Sequence, residues 1–189
     1  MQIKNTAIIF DVDKTLIRRD LHEIIIDDWK VKTPWNMWIY QAINLLKRAM
    51  VLNFLKRRFE YFLLLFIHKD HVTQSVINIF DSKEHLNLGL LKRLMKYKRS
   101  NCQIILVTAS PYEVVRPLAS YLEVDSYHST MLAGVLVRDL LGKKIKIYRR
   151  LERKKIALGA IYSDSPLDFF SNARKNILIT DSKSSVIKK

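Results

Sequence analysis

The stretch Ile8-Ile9-Phe10-Asp11-Val12-Asp13-Lys14-Thr15-Leu16 joins a short apolar run to two carboxylates and then a hydroxyl, spaced two residues apart. The run predicts a buried strand, beyond which the chain turns, so that Asp11 and Asp13 can converge through a side chain and a backbone group. Two acids so close repel each other and are costly to hold near apolar residues. A hard cation such as Mg2+ removes that cost because it prefers oxygen ligands. The alternative is structural, with Asp13 capping a turn and Asp11 ending the strand.

Three later segments place further polar residues after apolar runs. Residues 104–110 form a second apolar run that ends in hydroxyls, and residues 160–168 form a third that ends in carboxylates. A lysine cluster after Gly142 lies between them. In chain order, the polar residues of these segments are Thr108, Ser110, Lys143, Lys144, Lys146, Asp164 and Asp168.

Predicted strands alternate with helical segments along most of the chain. This alternation predicts an α/β fold with a doubly wound parallel sheet. The polar residues follow the carboxyl ends of the strands, where ligands of such sheets bind. We therefore expect one site at this edge, built from residues that are far apart in the sequence.

The order acid pair, threonine, lysine, acid pair resembles the haloacid dehalogenase (HAD) superfamily of phosphotransferases, from Ala7 to about Asp168. One DxDxT pattern is a weak signal, but four motifs in the family's order are a strong one. The long segment after the first motif and the final Tyr-Ser-Asp-Ser are similar to the phosphoserine phosphatase-like branch (subfamily IB type). The resemblance implies a three-layer Rossmann-like core, residues 1–19 and 86–189, with an inserted helical cap, residues 20–85.

The resemblance also implies a reaction, namely Mg2+-dependent hydrolysis of a phosphate monoester through an aspartyl-phosphate. Asp11 is the expected nucleophile and Asp13 the expected general acid and base. Mg2+ is expected on Asp11, the Asp13 backbone carbonyl and Asp164. Thr108 and Ala109 are expected to bind the phosphate, and Lys144 to offset the negative charge of the nucleophile and the phosphate. Thr15 and Asp168 are expected to support the metal ligands.

Asp20, nine residues after Asp11, corresponds to an acidic residue that contacts substrate in this branch. It could equally cap the next helix, with Glu23 three residues later completing an arrangement like a capping box. For Ser110, the N-cap of a following helix is favoured over a phosphate contact. Asp168 is expected to orient metal-bound waters or Lys144.

The lysine of the third motif is ambiguous from the sequence. Lys144 is preferred because Ile145, Tyr148 and Leu151 then follow as one apolar helix face, but Lys143 and Lys146 stay open. Two other positions depart from the family pattern, since Lys14 and Ser163 stand where Gly is usual. Lys14 is tolerable if its φ is negative, and its charge could alter substrate affinity.

The composition limits the binding partners and the cellular compartment that we expect for this protein. The chain has 189 residues with 33 Lys and Arg against 18 acids, a formal charge of +15. This excess suits an anionic membrane surface or anionic substrates, or is only a compositional habit, and no nucleic-acid motif accompanies it. A single cysteine, Cys102, and an amino terminus without a signal peptide predict a cytoplasmic protein.

The predicted cap contains the most apolar run of the chain, residues 62–67. Six residues between cations are far fewer than the roughly 20 needed to cross a bilayer, so a buried helix is favoured. The alternative is an aromatic and cationic face that touches an anionic membrane, formed by Phe59, Tyr61, Phe62, Phe66 and the cations of residues 56–58. His68 and His71 are expected at solvated helix ends, and residues 182–189 as a basic tail.

The resemblance implies that the substrate is a phosphorylated small molecule or a lipid phosphate. Two rival functions stay open. One is phosphotransfer to an acceptor other than water, and the other is a non-catalytic basic binding protein that keeps the fold. Intact Asp11, Asp13, Lys144 and Asp164 argue against the binding protein, because a binder has no need of a costly cluster of acids.

Overall fold

The computed structural model describes residues 6–32, 41, 60–133, 136–138, 140–180 and 183–187. Its strands are β1 (Thr6–Phe10), β2 (Gln103–Pro111), β3 (Ser126–Ala133), β4 (Leu136–Arg138), β5 (Ala157–Ser163), β6 (Asn176–Thr180) and β7 (Lys183–Ile187). Its helices are α1 (Leu21–Lys32), α2 (Lys69–Ser82), α3 (Leu88–Arg99), α4 (Tyr112–Leu122) and α5 (Lys144–Arg153), with a 3-10 turn at Pro166–Asp168. Residues 60–64 are also helical.

The strands form one sheet with the order β4-β3-β2-β1-β5-β6-β7. The five inner strands, β3, β2, β1, β5 and β6, are parallel to one another. The edge strand β4 pairs antiparallel with β3, and the edge strand β7 pairs antiparallel with β6. The predicted doubly wound parallel α/β sheet is therefore confirmed. The expectation of a basic tail after residue 182 is wrong, because residues 183–187 form β7 along β6.

Alternate residues of the inner strands feed two apolar clusters, one on each face of the sheet. Ile8 and Phe10 of β1 belong to the larger cluster, which also contains side chains of α1, α2, α3 and α4. Ala7 and Ile9 belong to the smaller cluster, which packs against α5. Both faces of a parallel sheet are thus covered, giving three layers with Ala7 to Phe10 of β1 buried at the centre.

The chain leaves and rejoins the core at adjacent points. Ile17 and Leu86 form an isolated antiparallel bridge. The Arg18 N–H donates to the His85 carbonyl at 2.8 Å, and the Asn87 N–H donates to the Leu16 carbonyl at 2.9 Å. Residues 18–85 are therefore an insertion. Its described helices share the larger apolar cluster with the sheet, and the division into core and cap stays a prediction.

The aromatic residues of the insertion do not all lie on one surface. Tyr61 is buried, which agrees with the favoured interpretation and excludes this residue from the alternative aromatic face, and its hydroxyl donates to the Ala109 carbonyl at 2.9 Å. Phe62 and Phe66 are 44% and 67% exposed. Phe59 and residues 56–58 lie outside the described residues. Within the described part of the chain, no helix is both long enough and apolar enough to cross a membrane.

Gly159 occupies a bulge beside the central strand. Ala7 pairs with Leu158 and Ile8 pairs with Ala160, so Gly159 has no partner residue on β1. A Cβ at Gly159 would lie 2.7 Å from Thr6 Cγ2 and 2.9 Å from Ile8 Cδ1, closer than ordinary contacts. The bulge shifts the register of β5 immediately before the strand delivers Ser163 to the carboxyl edge.

We predict that Gly159→Ala lowers the free energy of unfolding by about 1–3 kcal/mol, because the added methyl overpacks the bulge. Gly89→Ala is the matched control, since its Cβ would meet only Asn87 Oδ1 at 3.7 Å within a helix. The control should leave stability unchanged or raise it by up to about 1 kcal/mol. Urea unfolding of both variants measures the difference, and equal stabilities would contradict the role given to Gly159.

Candidate active site

Asp11 lies directly after β1 with both its backbone and its side chain fixed. Its N–H donates to the Tyr162 carbonyl of β5 at 2.9 Å, which extends the sheet pairing by one residue. One carboxylate oxygen, Oδ1, accepts the Val12 N–H at 2.8 Å. The residue is 5% exposed, and the second oxygen, Oδ2, makes the remaining contacts of the carboxylate.

The buried ammonium of Lys144 bridges two carboxylates. Its Nζ donates to Asp11 Oδ2 at 2.6 Å and to Asp168 Oδ2 at 2.7 Å. The hydroxyl of Ser163 donates to Asp168 Oδ2 at 2.6 Å and lies 3.4 Å from Asp11 Oδ2. Lys143 and Lys146 line a different cavity, of about 580 Å³. The first residue of α5 is therefore the lysine that contacts the acids.

The electrostatics of this cluster are unbalanced. Burial raises the pKa of Asp11 to about 7, although the Lys144 charge and hydrogen bond act to lower it. Burial alone lowers the pKa of Lys144, but the charges of Asp11 and Asp168 raise it above its ordinary value. Burial also raises the pKa of Asp164. One ammonium cannot neutralise all these carboxylates, so the cluster favours an additional cation.

Asp13 is held by donors from two other elements. Its Oδ1 accepts the Leu21 N–H at 2.9 Å, at the start of α1, and its Oδ2 accepts the Ser110 hydroxyl at 2.6 Å. The expectation that Ser110 caps the next helix is wrong, because Pro111 occupies the N-cap of α4. Sequence reasoning missed the contact between Ser110 and Asp13, which are 97 residues apart.

Lys14 adopts the left-handed conformation with φ of 54°, so the condition of a negative φ for a lysine at this position is not met. The turn requires it, since the Thr15 and Ile17 N–H groups both donate to the Val12 carbonyl. A non-glycine residue there costs about 1–2 kcal/mol. The Lys14 ammonium lies 3.5 Å from Asp20 Oδ2, and the Asp20 carbonyl accepts the N–H groups of Glu23 and Ile24 in α1.

The remaining expected residues surround these acids. Thr108 is buried, and its Oγ1 accepts the Ser110 N–H at 3.1 Å. Thr15 Oγ1 accepts the Asp164 N–H at 3.0 Å, which ties the first motif to the last. Ala109 lies on the wall of the same cavity as Asp11.

A cavity of about 690 Å³ opens over Asp11, Asp13 and Asp164. Among the residues that the structure describes, seven carboxylates and two lysines line it, in a chain of formal charge +15. Asp11, Asp164 and Asp168 each offer an oxygen, all within 4.8 Å of one another, so these three could hold a metal ion. Asp168 is therefore close enough to be a direct ligand as well as a support for Lys144.

The cavity also contains a group that the sequence did not indicate. His22, Glu23 and Glu60 offer ligand atoms within 4.8 Å of one another. His22 and Glu60 are buried and come from segments 38 residues apart, so no local spacing pattern signals their meeting.

Comparisons with solved structures show the fold. A protein of unknown function from Bordetella pertussis Tohama I is 16% identical with a TM-score of 0.62, covering 88% of this chain and 85% of that one. A phosphoserine phosphatase described as a phospho-aspartyl intermediate analogue is 16% identical with a TM-score of 0.59, covering 93% and 87%. A phosphoserine phosphatase in apo form is 15% identical with a TM-score of 0.58, covering 92% and 85%.

A comparison with curated protein sequences finds no match. The family model for haloacid dehalogenase-like hydrolases matches residues 8–169, which include every residue of the acid cluster. By this match over most of its length, the chain belongs to the haloacid dehalogenase-like hydrolase family.

Proposed function

We propose that this protein is a Mg2+-dependent phosphatase that hydrolyses a phosphate monoester through an aspartyl-phosphate. One observation carries the proposal. A buried carboxylate, Asp11, contacts the ammonium of Lys144, while a second carboxylate, Asp13, is oriented by two donors in the same cavity. The pair supplies a nucleophile and a proton donor at one point.

The residues at the site fit Mg2+ by their chemistry. Asp11, Asp164 and Asp168 provide the hard oxygen donors that Mg2+ prefers. The single ammonium of Lys144 contacts Asp11 and Asp168 but cannot neutralise all three carboxylates, so net negative charge remains to attract the ion. We infer that Asp11 and Asp164 hold the ion with the Asp13 carbonyl, and that Asp168 joins them or holds Lys144. When bound, Mg2+ would offset the repulsion between carboxylate and phosphate.

The protein's own groups then perform two displacements. An Asp11 oxygen attacks phosphorus, and the bond to the leaving oxygen breaks while Asp13 gives that oxygen a proton. Asp13, now ionised, takes a proton from water, which attacks phosphorus and releases phosphate and free Asp11. Lys144 stabilises negative charge on the nucleophile and phosphate, and Thr108 and Ala109 bind the phosphate oxygens.

The polar site favours a reaction over simple binding. Phosphotransfer to another acceptor would share every residue named above, and the product tells the two apart: free phosphate for hydrolysis, a new phosphate ester for transfer. A phosphatase screen over phosphorylated sugars, amino acids and lipids would identify the substrate class. No turnover of any phosphate ester would favour the binding protein.

We predict that the protein hydrolyses an aryl phosphate with Mg2+, and that Asp11→Asn abolishes both turnover and trapping of phosphate on the protein. Asp13→Asn should lower kcat by about 10²–10⁴ while the nucleophile persists, because only proton transfer is lost. Phosphate release and acid-stable protein labelling measure the two effects. Activity that survives a chelator, or a labelled Asp11→Asn protein, would overturn the assignment.

The charge imbalance gives a pH-dependent prediction for protein kept in a chelator. Because the pKa of Asp11 is raised from 3.8 to about 7, the folded protein binds this proton more tightly than the unfolded chain. Stability should therefore fall as pH rises from about 4 to 7. Asp11→Asn should remove this loss and be more stable than wild type at pH 8, on the order of 1–3 kcal/mol.

Thermal unfolding at pH 5 and pH 8 measures this difference, at about 2–4 °C for each kcal/mol in a chain of this size. Added Mg2+ should raise the melting temperature of the wild type at pH 8 and have less effect on Asp11→Asn. A wild-type protein that gains stability with pH in chelator would contradict the prediction.

We further propose peripheral contact with anionic membrane, which would make a lipid phosphate accessible. The observation that favours it is the exposed pair Phe62 and Phe66, whose rings lie 5.2 Å apart. We predict that wild-type protein sediments with anionic liposomes at low salt and that Phe66→Ser reduces the bound fraction. Met95→Ser, which removes an exposed apolar side chain from α3, is the control. Wild-type protein left in the supernatant would reject the lipid contact.

A further inference from the structure

The second group in the cavity, His22, Glu23 and Glu60, has no part in the reaction proposed above. His22 and Glu23 lie in the first turn of α1, and Glu60 belongs to the helical residues 60–64. His22 is 3% exposed and Glu60 is 6% exposed. A cation bound at this position would lower the cost of burying the carboxylate.

The hydrogen bonding of His22 is poor for a buried ring. Its Nε2 lies 3.4 Å from Glu60 Oε2, longer than the usual 2.7–3.2 Å for an N–H donor. Its Nδ1 is buried and has no hydrogen-bond partner among the described residues. Tyr61 holds the ring in place by an edge contact with a centroid distance of 5.0 Å. Packing therefore fixes the ring. Its Nε2 faces the Glu60 carboxylate, and its Nδ1 has no hydrogen-bond partner among the described residues.

The same geometry suits a metal ion. Two ligands about 2.1 Å from a tetrahedral ion lie roughly 3.4 Å apart, and this is the Nε2–Oε2 separation observed here. Glu23 offers a third ligand atom within 4.8 Å of the other two. An imidazole with two carboxylates favours a borderline ion such as Zn2+ or Co2+ over Mg2+.

We infer that His22, Glu23 and Glu60 form a second divalent-cation site in this cavity, separate from the Asp11, Asp164 and Asp168 group. Among the described residues that line the cavity, an incoming phosphate dianion meets an excess of seven carboxylates over two lysines, which occupation of the site would reduce. The site spans α1 and residues 60–64, so a bound ion would also join two segments of the insertion.

The experiment uses full-length protein saturated with Mg2+ and titrated with Co2+, followed by the visible absorption of the bound ion and by metal content after dialysis. Wild type should retain a single Co2+ per chain with the spectrum of a nitrogen-ligated ion. His22→Gln and Glu23→Gln should each weaken Co2+ binding by about tenfold or more. Asp164→Asn, altered only at the other group, should keep the Co2+ affinity of wild type.

Circular dichroism of each variant shows whether it folds, and the partly exposed Glu23 provides a test if His22→Gln does not. Absence of retained Co2+ would overturn the inference. It would favour the alternative that these three side chains bind an ammonium group of the substrate. So would equal affinity in Glu23→Gln and wild type, or loss of binding in Asp164→Asn alone. None of these readouts requires turnover, so a failed phosphatase assay leaves the result intact.

Discussion

The interaction on which the site depends is the sharing of one buried ammonium by two carboxylates. Lys144 contacts Asp11 and Asp168 at hydrogen-bond distance, and all three side chains are almost fully buried. Such a cluster is stable only if its charges and hydrogen bonds compensate the loss of water. β1, α5 and the turn after β5 must therefore meet at fixed distances, and the central position of β1 in the sheet provides this.

Much of this arrangement could be predicted from the sequence, because parallel strands bring their carboxyl ends to one edge. Strand β1, which precedes Asp11, and strand β5, which ends at Ser163, are adjacent in the sheet, so motifs 152 residues apart meet. Helix periodicity favoured Lys144 through Ile145, Tyr148 and Leu151 but left Lys143 and Lys146 open, and Ile145 is only partly buried. Lys144 lies on the buried face of α5 with Ile147, Tyr148 and Leu151, at the spacing of one helical stripe.

The features that could not be predicted depend on contacts without a local pattern. The Ser110 hydroxyl reaches Asp13 because of where β2 ends. From the sequence alone, a hydroxyl before Pro111 is equally typical of the N-cap of the next helix, α4. Lys14 takes a positive φ because the tight turn around the Val12 carbonyl requires it, whatever side chain is present. Strand β7 was missed because residues 183–187 contain two serines and no apolar alternation, which is typical of an edge strand.

The bond from the Leu21 N–H to Asp13 couples two properties that are often treated as independent. The first turn of α1 belongs to the insertion and lines the cavity, yet it also orients the carboxylate proposed as the proton donor. A substitution that tilts this helix to accept another substrate would also move that carboxylate. Divergence of substrate preference and divergence of turnover rate are therefore linked in this protein, and a new specificity acquired through α1 requires compensating changes on β2.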